Sequence, residues 1–396
     1  MTTKSPRSEA PSRRTFMRQS AAAVALSAPG LWGKAGLVAA AGGRGVEWRN
    51  QQSGMAYRQL GRTGMMISEV VCGGDPIKTD NYEHLNLAVE MGLNYLDMAP
   101  AYNSGNTEEA FGKLLAGSSA KREKLFLATK ISSFNGQLGR MYREVFDGLP
   151  QEKKDAIMKR ANELREQREV DKPGYFLTYF PNQQQGFNLA YLRAAMLKDY
   201  RHKVEGTGHC KKFITESLET SLKRVGTDYF DIVMCPHGAN SPEDLYCPEI
   251  VETFQQLKKQ GKARFLGVTS HNDPAGVLRA AADAGHYDVA MFAYNVINGG
   301  YLDETVRYAA AKGMGLISMK AAHAVATHHK ALQPIPEWRV QKINRVIPGE
   351  MKAPMKAYLW ALQNRNISAV ISNLWDQTYV RENLSLAGKK VALQPA

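Results

Sequence analysis

Short apolar stretches alternate with longer amphipathic stretches along most of the chain. The apolar stretches predict eight strands, at Glu69–Cys72, Asn94–Asp97, Leu125–Thr129, Phe230–Met234, Ala263–Val268, Val289–Phe292, Gly315–Met319 and Ser368–Ile371. The amphipathic stretches predict helices at Asn81–Met91, Thr107–Leu115, Phe213–Val225, Pro248–Gln260, Pro274–Ala284, Leu302–Lys312 and Lys352–Gln363. Strands that alternate with helices form parallel sheets, and eight such units close a barrel. The pattern therefore predicts an α/β fold, a (β/α)8 TIM barrel.

A hairpin is predicted ahead of the barrel. Tyr57–Leu60 and Met65–Ser68 flank the turn sequence Gly61-Arg-Thr-Gly64. Apolar runs on either side of a short glycine-containing turn are typical of a β-hairpin.

Residues 134–211 interrupt the alternation after the third predicted strand and are predicted to form a mostly helical insertion. Gln151–Glu169 and Phe187–Tyr200 have helical patterns, and Asp171–Phe187 is loop-like. A loop that follows a barrel strand projects from the catalytic face. The insertion is therefore either a lid over the site or a peripheral helical hairpin that packs on the barrel or on a partner subunit. The aromatic residues that would face the ligand or the packing surface are Tyr175, Phe176, Tyr179 and Phe180.

The N-terminal segment has the features of an export signal. Ser12-Arg13-Arg14-Thr15-Phe16-Met17 is a twin-arginine pattern, the weakly apolar run Ser20–Ala28 follows it, and Ala39-Ala40-Ala41 offers a cleavage site. Pro29 interrupts the apolar run, so we expect no stable membrane span. The predicted division is a signal peptide at 1–41, a linker at 42–54 and the barrel at 55–396. The protein would be exported by the twin-arginine route to the periplasm or another extracytoplasmic compartment; the alternative is a disordered basic tail.

Composition and charge limit the kinds of partner that we expect the protein to bind. The chain is 44% hydrophobic and 22% charged, as in ordinary globular proteins, and its formal net charge is +13. No Lys/Arg run or recognition motif accompanies that charge, so we expect no nucleic-acid partner. A basic mouth suits an anionic cofactor or substrate. The four cysteines lack Cys-x-x-Cys spacing. His271, His323, His328 and His329 were weighed as metal ligands, but two of them are adjacent, and we expect no metal site.

Three side chains with complementary chemistry follow two neighbouring predicted strands. Asp97 ends the second strand, Tyr102 lies in the loop after it, and Lys130 follows the third strand. A phenol has a pKa of about 10 and is a weak acid at neutral pH, but a neighbouring ammonium lowers that value. The trio therefore predicts that Tyr102 donates a proton to a carbonyl oxygen as hydride reaches the carbon. The alternative is a structural Asp97–Lys130 ion pair beside an aromatic residue of the rim.

With these residues in place, the chain resembles the aldo-keto reductases. The matching pieces are Met55-Ala-Tyr-Arg-Gln-Leu-Gly-Arg-Thr-Gly, Ile67-Ser, Cys72-Gly-Gly, the Asp97/Tyr102 pair, Gly112-Lys113, Arg122-Glu and Ala128-Thr-Lys130. The resemblance resumes near Phe213 and continues to about Asn383, leaving out residues 134–211. It implies a barrel plugged at its bottom by the hairpin. It also implies NAD(P)H-dependent carbonyl reduction by an Asp-Tyr-Lys-His tetrad.

The resemblance implies that His237 is the fourth member of the tetrad. The family's histidine would fall where Pro236 stands, one residue before His237. A shift of one residue turns a side chain to the other face of a strand, whereas a strand that ends at Pro236 could aim His237 into the mouth. We assign His237 to orient the carbonyl oxygen. The alternative is a histidine that has left the site.

The cofactor contacts also come from the resemblance. Thr269 or Ser270, together with Asn272, would hold the nicotinamide carboxamide, and Met291 replaces a glutamine that often binds the same group. The remaining predicted contacts are Lys320, Ser372, Asn373 and Asn383, the last against adenine. Tyr379 stands where an arginine usually binds the 2′-phosphate, so the cofactor is NADP or NAD.

The sequence thus predicts an oxidoreductase that transfers hydride between a nicotinamide cofactor and an aldehyde or ketone, or the corresponding alcohol. Its partner would be a small-molecule substrate, and residues 134–211 could support an oligomer. The alternative is a non-catalytic or regulatory barrel that retains a nucleotide or a partner-binding site. The displaced His237 and the presence of Met291 favour this alternative, and the intact Asp97, Tyr102 and Lys130 oppose it.

Overall fold

The structure, a computed structural model, describes residues 45–395 except Gly117, Thr207 and residues 328–333. The predicted signal peptide at 1–41 lies outside the described residues, as do His328 and His329.

Eight parallel strands close a barrel, as the sequence predicted. The strands of the structure are β1 (Glu47–Trp48), β2 (Tyr57–Gln59), β3 (Met65–Ser68), β4 (Val70–Gly73), β5 (Tyr95–Asp97), β6 (Phe126–Lys130), β7 (Phe230–Met234), β8 (Ala263–Ser270), β9 (Val289–Ala293), β10 (Gly315–Met319) and β11 (Ala369–Asn373). β4 to β11 pair in chain order, and β11 pairs with β4 to complete the ring. Each predicted barrel strand is present within two residues of its predicted bounds, because strands buried on both faces are nearly continuous apolar runs.

The helices that surround the barrel confirm the predicted alternation. They are α1 (Leu85–Glu90), α2 (Asn106–Leu115), α3 (Ser119–Glu123), α4 (Phe134–Asp147), α5 (Gln151–Gln167), α6 (Gln183–Tyr200), α7 (His209–Val225), α8 (Pro248–Lys259), α9 (Pro274–Ala284), α10 (Gly299–Ala311), α11 (Glu337–Val346), α12 (Ala353–Gln363) and α13 (Gln377–Leu384). Within the described ranges, no helix combines the length and apolar character that a membrane crossing requires.

The N-terminal hairpin closes the bottom of the barrel. β2 and β3 are antiparallel, and Leu60, Met65 and Ile67 of the hairpin pack against apolar side chains of the barrel interior. Gly61 has a positive φ and lies so close to the start of β10 that a Cβ would come within 2.3 Å of the Gly315 nitrogen. The opposite, C-terminal end of the barrel therefore remains for the site; we call it the mouth.

Part of the predicted linker at 42–54 is structured instead. β1 pairs in parallel with β3. Arg49, one residue beyond β1, forms an ion pair with the buried Asp231 at 3.3 Å and donates to the Leu125 carbonyl oxygen at 2.7 Å. These contacts hold β1 and Arg49 in place. The sequence alone shows only a short polar stretch here and does not distinguish it from a flexible connection.

Residues 134–211 contain α4, α5 and α6 and the start of α7. The sequence did not predict α4, whose Gly136 and Gly139 weaken a helical pattern; a Cβ on Gly139 would lie 3.4 Å from Leu189 of α6, so this glycine allows close helix packing. α6 begins at Gln183, four residues before the predicted start at Phe187. That this segment is an insertion relative to other family members stays a prediction.

Buried ion pairs fasten this segment to the barrel. The Arg193 guanidinium of α6 lies 2.9 Å from Asp244 and 3.1 Å from Glu205, and all three side chains are almost fully buried. Arg168, just beyond α5, makes a two-pronged contact with Glu243 at 2.6 and 2.9 Å. Glu243 and Asp244 lie in the loop that follows β7, at the mouth. Because breaking a buried pair costs about 3–5 kcal/mol, the segment is held firmly against this face.

Candidate active site

A buried ion pair forms the base of the site. Asp97 ends β5 and pairs with Ala128 of β6, so Lys130, two residues further along β6, points to the same interior face. Its Nζ donates to both carboxylate oxygens of Asp97, at 2.6 and 2.7 Å, and to the Met98 carbonyl oxygen at 2.9 Å. An ammonium has three donors, so all of them are used. Both predicted partners are brought together as expected.

Tyr102 lies against this pair. Its ring centroid is 4.5 Å from Lys130 Nζ, in a cation–π contact. Burial raises the pKa of Tyr102 well above its ordinary value, and the negative charge of Asp97 adds to this shift. The sequence predicts the opposite, a pKa lowered by Lys130. The difference arises because burial dominates the shift, and because the three Lys130 donors go to Asp97 and Met98 and none goes to the phenol. Tyr102 is therefore held protonated.

Burial and mutual attraction have opposite effects on the pKa values of Asp97 and Lys130. Burial raises the pKa of Asp97, and burial lowers the pKa of Lys130. The mutual attraction at 2.6 Å and the Met98 carbonyl oppose both shifts. Removing either partner would leave a charge in a dry site.

His237 reaches the site despite its one-residue shift. β7 ends at Met234, so the alternation of strand faces no longer governs a residue three positions later. The imidazole lies edge-on to Tyr102, with 6.1 Å between ring centroids. The Gly238 amide donates to Thr269 Oγ1 at 2.7 Å and holds this loop against β8. Burial, assisted by the charge of Lys130, lowers the pKa of His237 to about 3, so the ring is neutral.

Ser132 contacts His237 and was not anticipated from the sequence. Its Oγ lies 2.9 Å from His237 Nδ1 and accepts a hydrogen bond from the Ala101 amide at 3.3 Å. The amide takes one lone pair of this oxygen, and the hydroxyl keeps its proton, which it can donate to Nδ1, as well as a second lone pair. An imidazole that accepts at Nδ1 carries its proton on Nε2. The only signal for Ser132 in the sequence is its position two residues after Lys130.

A pocket opens at the mouth above these residues. It is lined by side chains from six strand ends and α12, of which the polar ones are Asp75, Asp97, Tyr102, His271, Lys320, His323, Tyr358 and Asn373. Met291, Met319 and Ile371 supply its apolar walls. Lys320 follows β10 with a φ of +62°, a left-handed conformation that is costly for a non-glycine residue and often marks a functional site. A small polar pocket beside a protonated phenol and a neutral imidazole can hold and protonate a carbonyl group.

Two features, one beside the pocket and one in its lining, fit a nicotinamide nucleotide. Ser270 Oγ, at the end of β8, is buried and has no hydrogen-bond partner among the described residues. This is one of the positions predicted to hold the carboxamide. At Gly73 a Cβ would come within 2.7 Å of Ile371 and 3.1 Å of Asn373, two residues of the lining. Glycine at this position therefore lets β4 lie close to Ile371 and Asn373 of β11 at the wall of the pocket.

Asn272 occupies a different environment from the one predicted. Its Oδ1 accepts from Gln183 Nε2 at 2.5 Å, and its Nδ2 donates to Asn240 at 2.6 Å. Both ends of the amide are therefore engaged by protein. Thr269 Oγ1 likewise accepts from the Gly238 amide. Of the three residues predicted to hold the carboxamide, only Ser270 has a side chain with no hydrogen-bond partner among the described residues.

The predicted contacts after β10 and β11 divide into two groups. Lys320 and Asn373 line the pocket. Ser372 and Asn383 are buried behind it and bond to each other, with Asn383 Nδ2 donating to Ser372 Oγ at 2.9 Å. Tyr379 is exposed near the start of α13, and the Asp376 carboxylate accepts from the first amides of that helix.

Residues 171–183, which we call the capping loop, cover one side of the mouth. Tyr179 accepts from Asn295 Nδ2 at 2.9 Å, and its ring lies 6.3 Å from that of His271 and 6.4 Å from that of His323. Phe180 lies edge-on to His271 at 5.1 Å. The loop thus contacts His271 and His323 of the pocket lining, while the helices pack on the barrel. That the aromatic residues of the loop face a ligand stays a prediction.

Comparisons with known proteins agree with this geometry. A model of the aldo/keto reductase family matches residues 72–385. L-galactose dehydrogenase of Arabidopsis thaliana is 23% identical over 350 residues, which cover 83% of this chain and 86% of that protein. Aldo-keto reductase AMT2 of Alternaria alternata is 24% identical over 278 residues, which cover 66% of this chain and 63% of that protein. The solved structure of the Bacillus halodurans aldo-keto reductase AKR11C1, in its holo form, shares the fold, with a TM-score of 0.56, 20% identity and coverage of 86% and 93%.

The chain belongs to the aldo/keto reductase family. It is an oxidoreductase that transfers hydride between a nicotinamide cofactor and an aldehyde or ketone, or the corresponding alcohol. No observation favours the non-catalytic alternative that the sequence left open.

Proposed function

We propose that Tyr102, His237, Lys130 and Asp97 carry the reaction, in the arrangement described above. The observation that carries the proposal is that Tyr102 and Asp97 line the pocket. The neutral imidazole of His237 lies edge-on to Tyr102, with 6.1 Å between ring centroids, and Lys130 forms an ion pair with Asp97. A bound nicotinamide nucleotide supplies or accepts the hydride. Tyr102 gives its proton to the carbonyl oxygen in reduction and recovers a proton from the hydroxyl in oxidation.

Lys130 acts on this step through charge. Its ammonium faces the Tyr102 ring at 4.5 Å and stabilises the negative charge that the phenol acquires as the proton leaves. Asp97 keeps the ammonium in place and charged by taking two of its three donors. His237, with its proton on Nε2, donates to the carbonyl oxygen and orients it.

The nucleotide would be held at the ends of β8, β10 and β11. Ser270, whose hydroxyl lacks a partner among the described residues, would bind the carboxamide, and Lys320 and Asn373 would contact the remainder within the pocket. Asn383 and Ser372 would support the adenine side. Thr269 and Asn272, both engaged by protein groups, would act as supports rather than direct contacts.

Residues at the start of α13 bear on whether the cofactor is NADP or NAD. Tyr379 replaces the expected arginine, and Asp376 places a carboxylate on the first amides of the helix, which would otherwise suit an anion. Both features disfavour a 2′-phosphate, so we infer that NADPH binds no more tightly than NADH. Titration of each nucleotide, followed by protein fluorescence, measures this directly.

The lining of the pocket supports a hydroxyl-rich substrate, such as an aldose or its cyclic hemiacetal. Asp75, His271 and His323 offer several hydrogen-bonding groups around the reacting centre, and the relative from Arabidopsis thaliana is named for a sugar substrate. A site built to bond hydroxyls rejects analogues that lack them by large factors. Aldoses should therefore be turned over with a far higher kcat/KM than simple aldehydes of equal size.

The test of the function is a nucleotide-dependent assay on wild type and Tyr102→Phe. Wild type should oxidise or reduce members of an aldose and carbonyl panel with a change in reduced-nicotinamide absorbance. The variant should bind nucleotide as wild type does and lose turnover. If wild-type protein binds neither NADH nor NADPH, the proposal is wrong.

Export and assembly are separate parts of the proposal. The twin-arginine pattern at Arg13-Arg14 supports export to the periplasm or another extracytoplasmic compartment. Replacing both arginines by lysine should trap the full-length protein in the cytoplasm, as seen by cell fractionation. Residues 134–211 could also mediate an oligomer, which sedimentation analysis would reveal.

A further inference from the structure

The capping loop lies over strand ends that the family resemblance assigns to the cofactor. It contacts Asn272 just beyond β8, Asn295 just beyond β9 and Lys320 just beyond β10. These are the fifth, sixth and seventh strands of the barrel. Tyr179 and Phe180 both approach Lys320, at 5.7 and 5.9 Å from its Nζ to their ring centroids.

The loop is bonded to the barrel through buried polar groups rather than resting on it. Gln183 links the loop to the barrel, because its Oε1 accepts from the Tyr179 amide at 2.7 Å while its Nε2 donates to Asn272, just beyond β8. Tyr175 donates to Asp273 Oδ1 at 2.5 Å, and Tyr191 of α6 donates to Oδ2 of the same carboxylate at 3.1 Å. Each of these side chains is buried. A buried polar group that loses its partner costs free energy, so lifting the loop is unfavourable.

Both ends of the loop are anchored as well. Arg168 precedes it and is paired with Glu243, and Arg193 follows it and is paired with Asp244. The anchors lie on the loop after β7, which also carries His237. The two ion pairs therefore tie the segment that carries the capping loop to the connection on which His237 lies.

We propose that the capping loop retains the nicotinamide nucleotide, so that it stays bound through many turnovers. This inference rests on the proposed function, since it needs the nucleotide at the ends of β8 to β10. A nucleotide beneath the loop leaves only when Tyr179 parts from Asn295 and Gln183 parts from Asn272. Small substrates reach Tyr102 from the side of β4 and β5, which the capping loop does not contact among the described interactions.

The consequence is an exchange between two small molecules. One alcohol is oxidised to a carbonyl compound, giving up a hydride and its hydroxyl proton. A second molecule, a carbonyl compound, then takes up a hydride and a proton and is reduced to an alcohol. The proton balance closes over the cycle, because Tyr102 gives its phenol proton to the carbonyl oxygen in the reduction and takes the hydroxyl proton of the alcohol in the oxidation that follows or precedes it.

The experiment is a chase of bound nucleotide from the full chain. Protein is loaded with NADH or NADPH, freed of excess by gel filtration, and mixed with a large excess of the oxidised nucleotide. Loss of reduced-nicotinamide fluorescence then reports the dissociation rate. Wild type should release nucleotide more slowly than it turns over, for which about 10 s⁻¹ is typical.

The variants test the loop itself. Tyr179→Ala/Phe180→Ala should release nucleotide at least tenfold faster than wild type, and Tyr179→Phe, which removes only the bond to Asn295, should fall between the two. Thr178→Ala is the matched control, because this neighbour in the same loop is exposed; its rate should equal that of wild type. Circular dichroism checks that each variant is folded, and Tyr179→Phe serves if the double variant is not.

The possible failures are distinguishable. Release faster than turnover in wild type, with the same rate in the variants, would overturn retention while leaving the oxidoreductase intact. Failure of wild type to bind either nucleotide would overturn the proposed function and the retention with it.

Discussion

The contact between Ser132 and His237 makes a sharp prediction about catalysis. Ser132→Ala removes the hydroxyl that lies 2.9 Å from His237 Nδ1. The imidazole is then no longer biased toward the tautomer with its proton on Nε2. Only that tautomer can both accept at Nδ1 and donate to a carbonyl oxygen, so the variant should orient substrate less well.

The size of the effect follows from the kind of bond that is lost. A neutral hydrogen bond of this type contributes about 0.5–1.5 kcal/mol, and 1.36 kcal/mol corresponds to about tenfold in rate. Ser132→Ala should therefore lower kcat by about 3- to 10-fold. His237→Ala, which removes the whole acid–base group, should lower it by about 10²-fold or more. The Ala101 amide also loses its acceptor, so folding stability should fall by about 1 kcal/mol.

Steady-state kinetics at saturating nucleotide separates positioning from a general loss of structure. In Ser132→Ala, kcat should fall while the dissociation constant for nucleotide stays at the wild-type value. Ser132→Thr keeps a hydroxyl and should recover part of the rate. Ser133→Ala is the matched control, because Ser133 is exposed and adjacent. If Ser132→Ala is as active as Ser133→Ala, the tautomer of His237 is not set by this contact and the reasoning fails.

Three further predictions concern the core of the site. Tyr102→Phe should lower carbonyl reduction by about 10²- to 10⁴-fold with little change in nucleotide affinity; a parallel loss of binding, measured by fluorescence titration, would mean that the residue is structural. Lys130→Met should cost about 3–5 kcal/mol in urea unfolding because Asp97 is left charged and buried, and adding Asp97→Asn should recover much of that loss; simple addition of the two costs would contradict the buried pair. With the pKa of His237 lowered to about 3, the folded ring stays neutral while the unfolded ring gains a proton below about pH 6.5, so this residue makes folding less favourable as pH falls from 6.5 toward 3. The rate should show no histidine titration between pH 5 and 8, and an inflection near 6.5 that disappears in His237→Ala would refute this.

The barrel could be predicted because its signals are local. Each barrel strand is a short apolar run, and Asp97 and Lys130 stand at strand ends that parallel pairing must bring to one mouth. Their meeting required only the alternation of side chains along β5 and β6. The hairpin was predictable for a similar reason, since Gly61 and Gly64 mark its turn.

The departures arise where distant segments meet or where burial sets the chemistry. Asn272 was assigned to the cofactor by its place after β8, but its partner Gln183 lies 89 residues earlier in a segment without periodicity. The pKa of Tyr102 depends on how deeply the phenol is buried and on the negative charges of Asp97 and Asp75 beside it, and the depth of burial does not follow from spacing. His237 was uncertain because the end of β7, and not the count of residues, decides where it points.

The proposed retention of the nucleotide and the predicted export signal concern the same question, which is where an exported enzyme obtains its reduced nucleotide. An oxidoreductase that works outside the cytoplasm has no pool of free reduced nucleotide to draw on, so one that released its cofactor in each cycle would stop after one turnover. If the capping loop, held by Gln183 and Tyr179, retains the nucleotide, the enzyme needs no pool of free reduced nucleotide, because each reduction is balanced by an oxidation at the same site. The two substrates must then take turns, and initial rates plotted against either substrate should give parallel double-reciprocal lines. If the protein is exported and retains its nucleotide as we propose, the ion pairs of Arg168 and Arg193 have a role beyond stability, because a capping loop that opened easily would release a cofactor that the compartment does not replace.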